Sequence, residues 1–507
     1  MSEYPDATKL INATRARAFA PRKVQTVSEF ADTEIRLSKK GSAEPGPWHT
    51  DRNPPLREPM DCMSARSTVK EIVLCWPIQF GKALSLDTPI PTPDGWTIMG
   101  DLKVGDDVFG ADGKPTKVIF TSEIFYNHDC YELTFSDREK ITCDAGHLWS
   151  VIDTKLRNED RKELLRRENR QGVPHKRKAV SSSSTDHICI KTTEELFHSF
   201  LLRGKQSRYA IPVAGALDLP ETDLLIDPYT LGCWLGDGTA SGNGLALNDL
   251  DAKFITDRIK NAGYHCVLKK SKSDVIRGSA NTTVSIDPKG ARDGICPRGH
   301  ILAETGIYNG TNKGKPVEIC AECSRQSALK HKWGKPVDPL THLSLGMRLR
   351  ALSLIKNKHI PPVYLRASRP QRLALLQGLL DTDGHAMERG FVEIGSSFPA
   401  LADGIIELIR TLGFKPAFKI KKTYARDSTR ITFAAYAGDN VFSLPRKAQS
   451  LPNPGPRAED IAGTRFIVNI EPIASVPTRC IAVDNSDHLF LCGRGFISTH
   501  NLSLIHI

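Results

Sequence analysis

TRCIAVDNSDHLFLCGRGFISTHN, residues 478–501, is a set of short β-type runs separated by polar turns, and it has a counterpart near the other end of the chain. From Ala83 the text ALSLDTPIPTPDGWTIMGDLKVGDDVFGADGKPTKVIF (83–120) alternates short β-type runs with Pro, Gly and Asp turns, and strand-like text continues to about Val151. Between the two lie stretches of another kind. DPYTLGCWLGDG (227–238) and RPQRLALLQGLLDTDG (369–384) each have a helical entry and an apolar face. One all-β domain interrupted by another domain is the simplest account of β text at both ends.

The chain has 507 residues, long enough for three or four domains. No run of about 18 uncharged apolar residues occurs, and the N-terminus lacks an apolar core before a small-residue cleavage site, so neither a membrane span nor a secretion signal is expected. Twelve cysteines in 507 residues are too dilute for a disulfide scaffold; clustered thiols would instead point to metal or catalysis. The net charge of +11 is unevenly spread, with ten Lys/Arg against four Asp/Glu between Lys155 and Lys178. Such a block suits a polyanion partner, with a solvated loop as the plainer alternative.

The two β segments resemble the halves of an intein splicing domain of the Hint fold. ALSLDTPIPTPDGW resembles the family's first block, ITCDAGHLWSV (141–151) the block with its Thr and His, and TRCIAVDNSDHLFL with GFISTHN its last two. A lone His in a β domain is more often packed or exposed than catalytic; here the motifs occur together and in family order. Most inteins begin with Cys or Ser, but position 83 is Ala and offers no nucleophile. The pattern resembles the class that uses a Trp, Cys, Thr triplet instead, here Trp149, Cys480 and Thr499. The resemblance implies that Cys480 attacks the Lys82 carbonyl, displaces the Ala83 amine and holds the N-terminal piece as a thioester. His147, with Thr142, would polarise or protonate the scissile amide. Trp149 would pack against the site and Thr499 would orient the second junction. Asn501 would then cyclise to a succinimide, assisted by His500 and His488. A small buried hydrophobe is the plain alternative for Cys480. A direct-attack intein, which uses the acceptor residue as first nucleophile, is the rival mechanism.

The helical pair TLGCWLGDG (230–238) and LQGLLDTDG (376–384) resembles the signature helices of LAGLIDADG homing endonucleases. Gly232 and Gly378 would let the helices approach, and Gly238 and Gly384 would terminate them. Asp237 and Asp383 would then meet at the base of the pair and hold Mg²⁺ beside two phosphodiesters. Lys358, in KHIPPVYL, matches the family's assisting lysine, or else is an ordinary phosphate contact. Two motifs in one chain imply a monomeric, pseudo-two-fold enzyme that cuts double-stranded DNA. A degenerate element that only binds DNA is the alternative.

Cys296, His300, Cys320 and Cys323 have the spacing of a closed tetrahedral Zn²⁺ site, structural rather than catalytic. They resemble small zinc modules of phage endonucleases, stabilised by metal because they are too small for a core. Residues 1–82 read as a mixed α/β start ending in Gln79-Phe80-Gly81-Lys82, and resemble the N-terminal region of the large terminase subunit of tailed phages, an ATP-driven packaging motor. Gly81 and Lys82 would end its phosphate-binding loop, which would bind ATP and Mg²⁺ only after splicing. The resemblance implies a small terminase subunit and the procapsid portal as partners of the spliced host, an intein-free terminase gene as the DNA substrate, and the cytoplasm of a bacterial host as the location.

The expected organisation is therefore multidomain: a short α/β host fragment (1–82), then an all-β Hint domain in two parts (83–190 and 451–501). An α+β LAGLIDADG endonuclease (191–450) interrupts it, with a zinc-binding insertion at 290–330. LSLIHI (502–507) resembles the translation of a sequencing adapter and is read as an artefact.

Overall fold

A computed structural model describes residues 7–19, 25–37, 46–52, 56–65, 67–72, 83–156, 187–202, 206–239, 242, 244–269, 281–286, 307–312, 315–320, 344–387, 390–422, 427–453 and 463–500. Gly81 and Lys82, most of the basic block, Cys296, His300, Cys323, Asn501 and the tail 502–507 lie outside the described residues. Of Cys320 only the backbone is described. The chain divides into two units, Met1–Pro77 and Ile78–Ile507, each taken by itself.

The first unit holds helices α1 (Ala7–Phe19), α2 (Val27–Glu34) and α3 (Arg57–Cys62), with a two-stranded pair of β1 (Arg36–Leu37) and β2 (Gly46–Pro47). Thr26 and Glu29 form a capping box that starts α2, satisfying helix N–H groups that have no internal partner. Ser28 Oγ–H donates to Asp61 at 2.6 Å, tying α2 to α3. The apolar run EIVLCW (71–76), whose sequence suits a buried strand, falls almost wholly outside the described residues.

In the second unit the β text pairs as the alternation predicts. The N-terminal part supplies β3 (Leu84–Ser85), β4 (Pro89–Thr92), β5 (Gly95–Ile98), β6 (Asp107–Phe109), β7 (Pro115–Thr121), β8 (Cys130–Phe135), β9 (Lys140–Asp144), β10 (Leu148–Asp153), β11 (Ile188–Thr192), α4 (Thr193–Ser199), β12 (Leu201–Leu202), β13 (Gln206–Ser207) and β14 (Tyr209–Pro212). In the inserted region α5 (Pro228–Asp237), β15 (Gly244–Asn248), α6 (Asp249–Asn261), β16 (Cys266–Lys269) and β17 (Asn281–Ile286) form one repeat. A paired β18 (Ile307–Asn312) and β19 (Lys315–Cys320) follow, then α7 (Leu345–Ala351) and α8 (Pro362–Leu365). The second repeat is α9 (Arg369–Asp383), β20 (His385–Met387), β21 (Phe391–Ser396), α10 (Pro399–Thr411), β22 (Ala417–Lys421), β23 (Ser428–Ala434) and α11 (Pro445–Ala448). The C-terminal part returns as β24 (Thr464–Ile473), β25 (Thr478–Arg479), β26 (Ile481–Val483), β27 (Leu489–Cys492) and β28 (Ile497–His500).

An eight-stranded sheet runs β11-β10-β14-β24-β8-β9-β3-β25, so strands from both parts are interleaved. β24 lies between β14 and β8, antiparallel to each, with a register shift between Ile467 and Asn469. β26 joins β7 and β6 in a second sheet. Leu84, Val108, Leu133, Phe135, Trp149, Ile467, Val483 and Phe490 fill the core between them. The sheet extends to Pro212, so the boundary expected at 190 falls inside β11 and moves about twenty residues on. The reason is pairing: β11 lies along β10 from Leu148 to Ile152 and β14 joins β10 to β24.

The two repeats share a plan. β15-β17-β16 after α5 matches β21-β23-β22 after α9, each sheet with a helix, α6 or α10, against one face. A core that includes Trp234, Ile255, Leu375, Leu379, Ile405 and Phe433 runs through both. No helix among the described residues is long and apolar enough to cross a membrane.

A buried ionic cluster joins the β domain to the inserted one. Arg465, at the start of β24 and 1% exposed, donates from Nε to Asp137 at 2.8 Å and from Nη2 to the Gly495 carbonyl at 2.9 Å. Arg410, near the end of α10, pairs with Asp137 and Glu139 at 3.7 and 3.5 Å and donates to the Arg494 carbonyl. Asp137 thus neutralises a guanidinium from each domain. Asp137→Ala is expected to cost about 3–5 kcal/mol, the penalty of leaving a buried cation without its partner. Urea unfolding measures it, and a loss below about 1 kcal/mol contradicts this reading of the cluster.

Candidate splice-junction and helix-pair sites

The expected first junction lies where the N-terminal and C-terminal strands meet. β25 pairs antiparallel with β3, Thr478 opposite Ser85 and Arg479 opposite Leu84, which brings Cys480 beside Ala83. Ala83, Cys480 and Ala482 form one buried cluster, with Phe120 and Phe125 packed on it. The backbone of Cys480 is held on both sides: its N–H donates to Ser122 Oγ at 3.0 Å, and its carbonyl accepts from Ser122 N–H at 2.9 Å. The Sγ lies 3.5 Å from the Ile481 carbonyl. The placement beside Ala83 is a specific one for a thiol that a strand could equally have turned into the core.

On the other side of Ala83 is Asp144, a residue that sequence reasoning passed over. Its N–H donates to the Ala83 carbonyl at 3.0 Å, and the N–H groups of Ala83 and His147 face its carboxylate. Burial raises the carboxyl above its ordinary range, against the pull of these donors and of His128, whose Nδ1 is 3.4 Å from Oδ2. Thr142 stands two residues earlier in β9, half-buried and opposite Glu132 in β8; the residue of this strand that bonds Ala83 is Asp144. An acidic residue three positions before the histidine, buried at the end of β9, was the available signal.

A second cluster links β10 to the end of the domain. His147 Nε2 and Thr499 Oγ1 are hydrogen-bonded at 2.5 Å. Trp149, fully buried, meets the His147 ring edge to face at 4.9 Å and donates from Nε1 to Thr193 Oγ1 at 3.0 Å. Leu489 opposite His500 in the β27–β28 pair sets the His488 and His500 rings 6.2 Å apart, with His488 at φ +56°. The structure therefore brings together two groups, Cys480 with Ala83, and His147 with Trp149 and Thr499.

The helix pair forms the third site. α5 begins at Asp227, which accepts from Thr230 N–H at 2.8 Å, followed by Pro228. A methyl group on Gly232 would stand 2.3 Å from the Leu375 carbonyl oxygen, and one on Gly378 2.2 Å from that of Tyr229, so close backbone approach requires glycine at both. Gly238 and Gly384 follow the helices in extended rather than left-handed conformation (φ −67° and −83°). They are glycines for a steric reason: a Cβ would lie 2.1 Å from the Trp234 carbonyl and 2.6 Å from that of Leu380.

Asp237 and Asp383 come together at the ends of these helices, close enough to share a hydrogen bond. Partial burial, then the neighbouring carboxylate, raises Asp237 to about 6, and burial also raises Asp383, although that side chain still reaches solvent. Lys358 donates to the carbonyls of Leu235 and Gly236 at 3.0 and 2.9 Å, over the Trp234 ring. Lys447, unforeseen from the sequence, does the same for α9, donating to Leu380, Asp381 and Gly384 at 2.7–2.8 Å. A two-fold arrangement required such a counterpart. Asp381, the other acid of LLDTDG, is committed elsewhere: it accepts from Tyr229 OH and from the N–H groups of Ser443 and Leu444 at the start of α11.

Two carboxylates facing each other with too little positive charge between them fit a hard, oxygen-liganded divalent cation. Among the described residues no group of three or more His, Cys, Asp or Glu converges as a metal centre. In the second repeat Lys419 and Lys421 of β22, and Arg430 opposite Lys419 in β23, are exposed.

Residues 42–90 match the family model of the phage terminase large subunit gpA, ATPase domain. The chain is 32% identical over 429 residues to a replicative DNA helicase DnaB of Mycobacterium intracellulare, covering 84% of this chain and 59% of that one, so it spans less than two thirds of that relative. It is similar to the crystal structure of the MchDnaB-1 intein, 52% identical over 14% of this chain and 53% of that one, with a TM-score of 0.14. Mesophilic variants of the homing endonuclease I-DmoI are 10% identical over 45% of this chain and 96% of theirs, with a TM-score of 0.21.

A carboxyl whose pKa is raised by folding contributes stability that is present below its unfolded pKa of about 4 and lost as pH rises through the folded value. For Asp237 that loss spans the range up to about 6. Asp237→Asn is therefore expected to raise the metal-free Tm near neutral pH more than under acid conditions, and a Tm rise on adding Mg²⁺ is expected for the parent and not for the variant. Equal Tm changes at both pH values, with the Mg²⁺ effect retained, contradict the assignment.

Proposed function

We propose that the chain carries a self-splicing element of the Hint fold, with an embedded homing endonuclease of the LAGLIDADG type, interrupting the ATPase region of a phage DNA-packaging terminase. The observation that supports this reading best is the placement of Cys480 against Ala83 by the β3–β25 pair, in a domain built from both ends of the element. Position 83 has no nucleophile of its own, and Cys480 stands where one is needed. Its thiolate attacks the Lys82 carbonyl, the bond to the Ala83 nitrogen breaks, and the N-terminal piece remains as a thioester. His147 and Thr142 are the residues the family pattern offers at this amide; Trp149 packs on His147, and Thr499, bonded to its Nε2, would orient the second junction. Asn501 then closes on its own carbonyl with His500 and His488 as proton carriers.

In the inserted domain Asp237 and Asp383 would hold Mg²⁺, which when bound would supply water activation and charge neutralisation at the scissile phosphodiesters. Lys358 and Lys447 keep the two carboxylates in place by fixing the carbonyl ends of their helices. Double-stranded DNA, the intein-free terminase gene, lies across the open sheet faces, met by their lysines. Cys296, His300, Cys320 and Cys323 would hold a structural Zn²⁺. Gly81 and Lys82 would join an ATP site only in the spliced host, whose partners would be the small terminase subunit and the portal.

Added thiol is expected to release residues 1–82 from the parent chain, seen by mass spectrometry, whereas Cys480→Ala loses this cleavage by about 100-fold or more. Equal cleavage by Cys480→Ala refutes the mechanism and favours direct attack. In the second reaction, Asp237→Asn and Asp383→Asn each abolish double-strand cutting of the intein-free gene while leaving a gel shift. A parent chain that shifts this DNA and never cuts it is a binding element only.

A further inference from the structure

The displaced amine of Ala83 must gain a proton as it leaves, because an amide anion is too basic to depart into a buried site. His147 is the residue the family pattern offers, yet its Nε2 is bonded to Thr499, on the strand that leads to the second junction. The group on the Ala83 side is Asp144. Its own N–H fixes the Ala83 carbonyl at 3.0 Å, and the Ala83 N–H faces its carboxylate. The side chain is 1% exposed, and Oδ1 is buried without a hydrogen bond, so one oxygen of this carboxyl keeps its capacity unspent. The other oxygen, Oδ2, is 3.4 Å from Nδ1 of His128, whose side chain is 35% exposed and stacked on Phe125 at 5.3 Å. Phe125 also packs on the cluster of Ala83 and Cys480.

We propose that Asp144 is the acid that protonates the Ala83 nitrogen as the Lys82–Ala83 bond breaks, and that His128 positions it and connects it to solvent. This rests on the reading of Cys480 as the nucleophile at that bond. The step balances as follows. The Cys480 thiol first loses its proton to solvent, and the thiolate sulfur bonds to the Lys82 carbonyl carbon. The carbon–nitrogen bond then breaks, its electron pair staying on nitrogen, which takes the carboxyl proton of Asp144. Asp144 is left as a carboxylate facing the new amine, and regains a proton from water through His128.

Burial favours the protonated carboxyl, which is the form the step needs. The titratable groups around it are His128 and Asp129 from the loop before β8, Cys143 in its own strand, His147 on the far side of the turn, Glu194 at the start of α4, and Cys480 across Ala83. Two limbs follow for the pH profile of thiol-induced cleavage: a rise as Cys480 ionises and a fall as Asp144 loses its proton.

Thiol-induced release of residues 1–82 is measured across pH for the full chain and for Asp144→Asn, Asp144→Glu, His128→Gln and Cys480→Ala, with cleavage after Asn501 as the control for folding. Asp144→Asn is expected to slow release by about 100-fold or more, the usual contribution of a positioned acid, and to erase the falling limb. Asp144→Glu recovers part of the rate, and His128→Gln moves the falling limb to higher pH by removing the interaction that lowers the Asp144 carboxyl. Asp144→Asn within about threefold of the parent, with an unchanged profile, overturns the proposal provided Cys480→Ala is inactive. Should Asp144→Asn also lose cleavage after Asn501, Asp144→Glu decides: partial recovery at the first junction supports the proposal, and none overturns it. Undiminished release by Cys480→Ala is a different failure, that of the nucleophile assignment itself.

Discussion

The pairing of β24 with β8 on one side and β14 on the other is the constraint on which the rest of the second unit depends. Without β24 the eight-stranded sheet would be two half-sheets with unpaired edges, each exposing N–H and C=O groups that must find partners. With it, residues separated by more than 300 positions become neighbours, and the chain from Ala214 to Leu451 has to leave and return on one side. The same pairing carries β25 to β3 and β28 to β10. Both candidate junction clusters are consequences of a sheet that can close only by using both ends of the element.

The inserted region obeys a constraint of similar kind at one contact. Carbonyl oxygens of each signature helix occupy the space where the other's Cβ would be at Gly232 and Gly378. That proximity is what sets Asp237 beside Asp383; burial raises both carboxyls, and the charge of Asp383 raises Asp237 further. Lys358 and Lys447 do not neutralise the carboxylates by direct ion pairs; they bond the terminal carbonyls and contribute charge from there. A divalent cation would complete the balance. The ionic cluster of Arg410, Arg465, Asp137 and Glu139 ties this domain to the Gly493–Gly495 turn just before β28, the strand bearing Thr499.

Much of this was readable from residue types. Turn residues and period-two runs located the β domain at both ends, and the glycines of the helical motifs foretold the close crossing. What escaped had specific causes. β11 and β14 follow a highly charged segment, and the expected boundary at 190 cuts through β11; only pairing with β10 reveals their sheet. Thr142 drew attention because hydroxyls suit oxyanion chemistry, whereas the strand's geometry gives the contact with Ala83 to Asp144, two residues on. Lys447 lies in LPRKA, a segment with no catalytic signature, and its role depends on a tertiary approach to α9 that local sequence does not encode. Gly238 and Gly384 looked like left-handed helix caps and proved to be sites of close backbone contact.

The central claim is that the sulfur of Cys480 takes the N-terminal piece from Ala83. Peptide mapping of an Asn501→Ala chain, in which the second step is blocked, tests it most directly. The account predicts a branched species with two N-termini, Met1 and Ala83, in which residues 1–82 are joined through a hydroxylamine-sensitive thioester to Cys480. A species joined at any other side chain, or a chain with Met1 as its single N-terminus after prolonged incubation, would contradict it.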